Sequence, residues 1–389
     1  MNSNGAWNRA PRDAFAGAGA GHQVLLVIPS LDLIVVRQGE SLSDAAQGET
    51  FWGGFVEHLL NPLMEAVVDH TTGPPCPPSP LIRSVTFGPV GSIVRDAIGS
   101  DNWPITWGDD GDQYTSYGDG WGFPPGTELK LSLGFAKVAG GPTDFQGTNL
   151  RAPTGERQGD GAAGAKASGM VMVDGVLYML VRNVGNSQLA WSEDHGRTWH
   201  WGFRFGTSFG CPSFLNFGRN YEDAPWDHVY VYSSDGPSAY EPYDHVVLAR
   251  VPKSRIRERD AYQFFAGLSG GEPVWSADIG ERRPVFSFPA HCQRLDVAYC
   301  AGIRRYLLAL GHDHHGGWGL FDAPQPWGPW TTAFHTEDWG LGDTHGYRLP
   351  TKWMGEDGRR LHVVFSGRTH AGVEYDAFCV RRLVLDIAP

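Results

Sequence analysis

Three observations in the sequence predict an all-β fold, a five-bladed β-propeller with a short N-terminal α/β appendage. The 389 residues include 52 Gly, 27 Pro and 15 Trp, a composition of many tight turns and many aromatics to pack between sheets. Candidate strand pairs recur five times after residue 80, roughly every 60 residues. Helical periodicity is weak outside "PKSRIRERDAYQFF" at 252–265. A β-sandwich or jelly roll would hold such strands but would not explain their fivefold recurrence.

Residues 1–68 read differently from the rest. "GHQVLLVIPSLDLIVVRQG" predicts two strands around a turn at Pro29–Asp32, and "TFWGGFVEHLLNPLMEAVV" predicts an amphipathic helix with Phe55, Leu59, Leu60 and Leu63 on its apolar face. Residues 69–80, "DHTTGPPCPPSP", place five prolines in twelve positions, the signature of a stiff extended linker and a domain boundary. Residues 81–389 would form the five-bladed propeller and the catalytic domain, with its site at the mouth where loops from several blades converge.

Within that stretch, strand pairs are predicted at 103–107 with 113–118, 169–173 with 176–182, 228–233 with 245–250, 296–300 with 305–310, and 347–353 with 361–366. Turn clusters such as "GDDGD", "DG" and "GEDG" separate the members of each pair. "LIRSVTFGP" at 81–89 would supply the outer strand that closes the ring with the last blade. "SEDHGRTW" at 192–199 fits the Asp-box pattern S-x-D-x-G-x-T-W. There the Asp194 carboxylate would staple a turn, Gly196 would take positive φ and Trp199 would pack between sheets, a structural assignment with no catalytic part.

Charge and cysteines exclude several classes. The net charge of −12, from 31 basic and 43 acidic residues, is opposite to the basic footprint nucleic acid requires. No apolar run is long enough to span a membrane, and 22–37 is broken by Pro29 and Asp32. Met1 is followed by polar residues without the apolar core of a signal peptide, so the protein is expected to be intracellular or to have its export signal outside this chain. Five cysteines at 76, 211, 292, 300 and 379 form no CxxC pair. Cys292 and Cys300 could pair, but a buried free thiol is the default for each.

The densest chemistry lies in "SDNWPITWGDDGDQYTSYGDGWGF" at 100–123. Asp109, Asp110 and Asp112 sit in a turn, where short carboxylates serve backbone geometry. Asp101 precedes the first strand and Asp119 follows the second, so antiparallel pairing brings both to the same end of the hairpin. Two neighbouring carboxyl groups suit glycosidic cleavage, one as general acid and the other as base or nucleophile. Candidate substrate-binding residues are Trp103 and Trp121, whose faces could stack on sugar rings, with Arg182, Asn183, His291, His314, Trp318, His345 and Arg348 at strand starts and turns. The loop "GHDHHGGWG" at 311–319 could bind a metal, but adjacent histidines seldom converge on one ion; it is read as a hydrogen-bonding loop over substrate, and no metal or cofactor is assigned.

The segment "DNWPITWGDDGDQYTSYGDGWGF", together with "GLFDAPQPWGPWTT" at 319–332, resembles the five-bladed-propeller endo-D-arabinanase family of glycoside hydrolases over about residues 81–386. The resemblance implies a secreted (extracellular or periplasmic) enzyme of polysaccharide degradation, with its essential acids at Asp101 and Asp119 and a furanose-containing, arabinan-like substrate. Gly-Trp-Gly-Phe follows Asp119 where that family commonly has Thr-Phe. Residues 1–66 resemble the C-terminal end of the penicillin-binding, β-lactamase-like serine hydrolases, whose catalytic Ser-x-x-Lys has no counterpart in this segment. Two other functions fit the same residues. A polysaccharide lyase would use His291, His345, Tyr347, Arg182 and Arg348, and a non-catalytic propeller would only bind carbohydrate.

Overall fold

Alternating apolar and polar residues, punctuated by Gly and Pro, put most of this chain into short strands. The computed structural model describes residues 2, 7, 10–19, 23–31, 33–43, 48–66, 73–222, 224–312, 316–367 and 376–388. These divide into two compact units, 1–72 and 73–389.

The first unit pairs β1 (Phe15–Gly19), β2 (Gln23–Ile28) and β3 (Leu33–Arg37) in one antiparallel sheet. β1 was not expected from the sequence; its small residues, "FAGAG", carry little strand signal. A helix runs through Phe51–Phe55, Val56–Leu60 and Asn61–Ala66, its middle turn wound with π spacing. The Thr50 hydroxyl accepts the Gly53 N–H at 3.1 Å and caps it. Val24, Leu26 and Ile28 pack on Phe55 and Leu60 to form this unit's core. Asp32 and residues 67–72 lie outside the described residues.

The second unit begins inside the proline-rich stretch. Pro78 pairs in parallel with Thr332, and Thr332 donates its N–H to Pro77 and accepts from Ser79, so this end of the expected linker belongs to the second unit. Two strands follow, β4 (Ile82–Phe87) and β5 (Val94–Asp96). A meander then takes β6 (Ile105–Trp107), β7 (Gln113–Tyr117), β8 (Gly134–Ala139) and β9 (Gln146–Leu150) into one antiparallel sheet. A second is built from β10 (Lys166–Val173), β11 (Val176–Arg182), β12 (Ser187–Ser192) and β13 (His200–Phe205).

The third sheet holds β14 (Ser213–Asn216), β15 (His228–Ser234), β16 (Tyr243–Pro252), β17 (Gln263–Ser269) and β18 (Glu272–Ser276), with β19 (Pro284–Cys292) also on β16. The same sheet, ten-stranded in all, continues through β20 (Leu295–Cys300), β21 (Arg305–Gly311), β22 (Trp318–Ala323) and β23 (Thr331–Thr336), an antiparallel meander of its own. Its first strand lies parallel to β14 through Leu215–Val297 and Asn216–Ala298. The last sheet joins β24 (Thr344–Arg348), β25 (Arg360–Gly367) and β26 (Phe378–Ile387) to β4, while β5 pairs with another part of β26. The segment 81–89 thus pairs with the final strand of the chain.

The helical periodicity at 252–265 does not make a helix. Lys253–Arg255 and Arg259–Ala261 are single 3-10 turns, and the segment then enters β17. Ile256, Ala261 and Tyr262 are buried, so the apolar spacing reflects two turns pressed on the core. The predicted strand at 347–353 is instead β24 followed by a 3-10 turn at Thr351–Trp353. All five cysteines are free thiols, and Cys292 and Cys300 do not pair.

The turn after β12 is tightly bonded. Asp194 Oδ1 accepts from the Ser192 hydroxyl at 2.8 Å, the Arg197 N–H at 3.1 Å and the Thr198 N–H at 2.8 Å. Gly196 takes φ 85°, and the Trp199 indole N–H donates to its carbonyl while the ring stacks on Phe135 at 4.8 Å. Partial burial opposes charge on Asp194, but the Thr198 N–H and Ser192 hydroxyl outweigh it and hold the carboxyl below its usual range. The resulting stability is present above the ordinary carboxylate range and is lost as pH falls through the depressed value. Asp194→Asn is expected to cost about 1–3 kcal/mol, the worth of hydrogen bonds to a charged group, measured by denaturant unfolding at neutral pH. It should leave turnover unchanged.

Candidate active site

The first strands of the successive sheets, or the residues just before them, bring a set of charged side chains together. Asp101 stands before β6, Lys166 opens β10, Arg294 precedes β20 and His345 lies in β24. They line one pocket of about 310 Å³ with Asp119, Gly161, Arg182, Tyr240 and Asp376.

Asp101 is positioned by the backbone: its N–H and C=O each bond Gly118 at 2.9 Å, tying the two ends of the β6–β7 hairpin. It is 6 % exposed, and its Oδ1 is buried without a hydrogen-bond partner. A Cβ at Gly118 would stand 2.4 Å from that oxygen, so any side chain there would displace the Asp101 carboxyl group. Asp119 follows with φ 45°. Both its oxygens act as acceptors: Oδ1 takes the Lys166 ammonium, and Oδ2 takes the Gly161 N–H at 2.9 Å. Lys166 is almost completely buried, so this ion pair is a desolvated one.

Arg182 pairs with Lys166 in the β10–β11 register. Its Nη2 reaches Asn102 Oδ1 at 3.4 Å, and its Nε and Nη1 are buried without hydrogen-bond partners. Arg182 and Arg294 both lie over the Tyr240 ring, at 5.3 Å and 5.2 Å. Burial, then the neighbouring Arg182 guanidinium, pulls Arg294 below the ordinary arginine range. Arg294 donates to the Ala239 and His345 carbonyls at 3.1 Å and 2.8 Å. Asn183 lies behind the pocket with φ 62°, donating to the Gly164 carbonyl at 2.8 Å and the Tyr240 hydroxyl at 3.2 Å. It therefore holds the 161–164 turn whose N–H meets Asp119.

His345 Nε2 is 3.1 Å from Asp376 Oδ1 and 4.0 Å from Asp101 Oδ2. Asp101, His345 and Asp376 each offer a ligand atom, all within 4.8 Å of one another, so this corner of the pocket has the donors to hold a cation.

Of the residues singled out from sequence, Asp101, Asp119, Arg182 and His345 meet in the pocket, and Asn183 supports it. The others do not line it. Trp103 is fully buried against Tyr117, Phe123 and Phe378, its indole N–H bonded to the Ser100 and Ala377 carbonyls. Trp318 is fully buried and stacked on Tyr347 at 4.4 Å. Trp121 is 43 % exposed, two residues beyond Asp119. Arg348 is buried behind the pocket, donating to the Ser168 and Leu295 carbonyls and 3.7 Å from Asp296. Burial raises the Asp296 carboxyl against the pull of that guanidinium. His291 stacks on Phe288 at 4.1 Å in a separate histidine cluster. His314 lies outside the described residues. The acidic turn is structural: Asp109 meets His195 at 2.7 Å, Asp110 accepts from the Tyr114 hydroxyl at 2.7 Å, and Asp112 pairs with Lys137 at 2.7 Å.

Lys166, Tyr240 and Asp376 were not singled out. One signal was available for Lys166: a lone lysine opening the apolar run "KASGMVMV" that is buried along its whole length.

These features define a mostly β protein with a charged pocket built from the starts of its sheets. The chain belongs to the family of the domain of unknown function DUF4185, which matches residues 166–381. The matched span includes Lys166, Arg182, Arg294, His345 and Asp376, and Asp101 and Asp119 precede it. No curated protein matches the sequence. Solved structures similar to this one include a Bacteroides ovatus protein assigned to the hydrolases, with 14 % identity, a TM-score of 0.47, and 75 % of this chain and 87 % of that one covered. Another is the α-L-arabinofuranosidase of Podospora anserina in complex with cellotriose, with 13 % identity, a TM-score of 0.43, and 81 % and 95 % covered. A third is the GH43_1 enzyme of Xanthomonas citri, with 14 % identity, a TM-score of 0.45, and 79 % and 94 % covered. Among the described residues, no helix is long and apolar enough to cross a membrane.

Proposed function

We propose that the second unit is a five-bladed propeller and a glycoside hydrolase, with Asp101 as general acid and Asp119 as the ionised base or nucleophile. The propeller reading rests on five successive groups of antiparallel strands in chain order, two of them joined into one sheet through β14 and β20. β10 lies beside both β6 and β14, β20 beside both β14 and β24, and the first strand pairs with the last. The bonded turn at 192–199 is then an Asp-box at a blade edge.

The observation that carries the catalytic reading is the contrast between the two carboxyl groups. Asp119 has both oxygens accepting, one from an ammonium and one from an N–H, surroundings that suit the base or nucleophile. Asp101 lines the same pocket with one oxygen buried and unbonded and with no ammonium or backbone N–H bonded to that oxygen, the less polar setting that suits a general acid. Pairs of acids with such different surroundings divide into donor and carboxylate. In this reading Arg182, Arg294 and Tyr240 bind sugar hydroxyls, and the substrate is a furanose-containing, arabinan-like polysaccharide. Residues 1–72 contribute none of these groups.

A second reading is supported by Arg182. Its unpartnered guanidinium nitrogens would suit a uronate carboxylate, with His345 as base in a lyase. Incubation of the protein with a panel of plant, algal and mycobacterial polysaccharides separates the two. Hydrolysis yields new reducing ends alone. A lyase yields an ultraviolet-absorbing double bond with each cut, and that outcome would replace the hydrolase assignment.

A further inference from the structure

We infer that His312, His335 and Glu337 form a binding site for one divalent transition-metal ion, with zinc the natural occupant. His312 follows β21, His335 lies in β23 and Glu337 follows that strand, so the ligands come from the ends of β21 and β23. Each residue offers one ligand atom, and the three atoms lie within 4.8 Å of one another. Glu337 Oε1 is 3.1 Å from His335 Nε2 and 3.6 Å from His312 Nδ1. Ligands at about 2.1 Å from a tetrahedral ion stand about 3.4 Å apart, so both separations fit a common metal.

Burial argues that something is needed there. His312 is 1 % exposed, and both its ring nitrogens are buried without a hydrogen-bond partner; the buried His335 Nε2 has only the Glu337 carboxylate at 3.1 Å. Unsatisfied buried polar atoms are rare and cost about 1–3 kcal/mol each. The space is also kept clear. A Cβ at Gly317 would stand 3.3 Å from His312 Nδ1 and 3.3 Å from Glu337 Oε2. Two imidazoles and one carboxylate select a borderline ion such as zinc over calcium or magnesium, which prefer all-oxygen sites. The Glu337 side chain is 44 % exposed, which gives the ion a path in and water a path to a fourth position. His291, whose ring is 5.5 Å from that of His312, stands outside the ligand set. The ion would fasten the end of β21 to that of β23. Gly311, just before His312, donates its N–H to the pocket residue Arg294 at 2.8 Å, so the fastening acts next to the pocket.

The test uses the full-length protein stripped with EDTA and titrated with zinc by calorimetry, with cobalt(II) as a spectroscopic probe. The expected result is a zinc equivalent that His345→Gln retains, and a strong visible cobalt spectrum of low-symmetry coordination. His335→Gln, at a largely buried side chain, and Glu337→Gln, at one that is 44 % exposed and should fold, are expected to weaken that equivalent by more than about 100-fold. Circular dichroism checks their folding. Three results would overturn the inference: no zinc binding by folded wild-type protein, wild-type affinity in both variants, or loss of all binding in His345→Gln, which would assign the ion to the Asp101 corner.

Discussion

Asp101→Asn is expected to lower turnover by about 10²–10⁴-fold while leaving the melting temperature nearly unchanged. Asparagine keeps the size of the side chain and removes its proton. Asp101 Oδ1 has no hydrogen-bond partner, so little native bonding is lost. Asp119→Asn should reduce turnover to a similar degree but also lower stability. It removes the counter-charge from the buried Lys166 ammonium, and breaking such a pair costs about 3–5 kcal/mol when fully desolvated. The Asp119 side chain is 17 % exposed, which places the expected cost at the lower end. Steady-state kinetics and denaturant unfolding on both variants check the pair. Equal stability effects, or a fully active Asp101→Asn, would contradict the roles assigned here.

Removing residues 73–91 while keeping the rest of the second unit should cost about 4 kcal/mol or more. β4 covers β26 from Ile82 to Phe87, and its loss exposes Leu383 and Leu385, which are buried beneath it. Ile82 itself is 1 % exposed, and full burial of such a side chain is worth about 1.5–3 kcal/mol. Deletion would also leave an unpaired strand edge prone to association. A melting temperature equal to that of the longer chain would show that this strand does not hold the last sheet.

The strand pairs were legible because each joins two alternating runs across a turn marked by Gly, Asp or Pro. β14 was not, since "SFLN" is four residues long and is fixed by its parallel neighbour β20, far away in sequence. The same distinction governs the site. Asp101 and Asp119 belong to one hairpin, so local pairing sufficed to bring them together. Lys166, Tyr240 and Asp376 come from three other parts of the chain and meet only through the assembly of the sheets. The tryptophans misled for a physical reason: a chain of many small sheets needs large flat side chains between them, and Trp103 and Trp318 fill that need. In the histidine-rich loop at 311–319 adjacent histidines seldom share an ion, and the partners proposed for His312 lie in and just after β23, where sequence spacing gives no sign of them.

The central claim is that this pocket adds water across a glycosidic bond, and digestion of an active polysaccharide in H₂¹⁸O tests it most directly. Mass spectrometry of the fragments should find one ¹⁸O on each new reducing end, beyond the exchange seen when finished products are incubated in the same water. Asp101→Asn should produce almost no labelled fragments. Fragments that form at the wild-type rate with no ¹⁸O on their new reducing ends, each cut leaving a partner fragment that carries a double bond and lacks the added water altogether, would contradict the account and give the pocket to the lyase chemistry of His345 and Arg182.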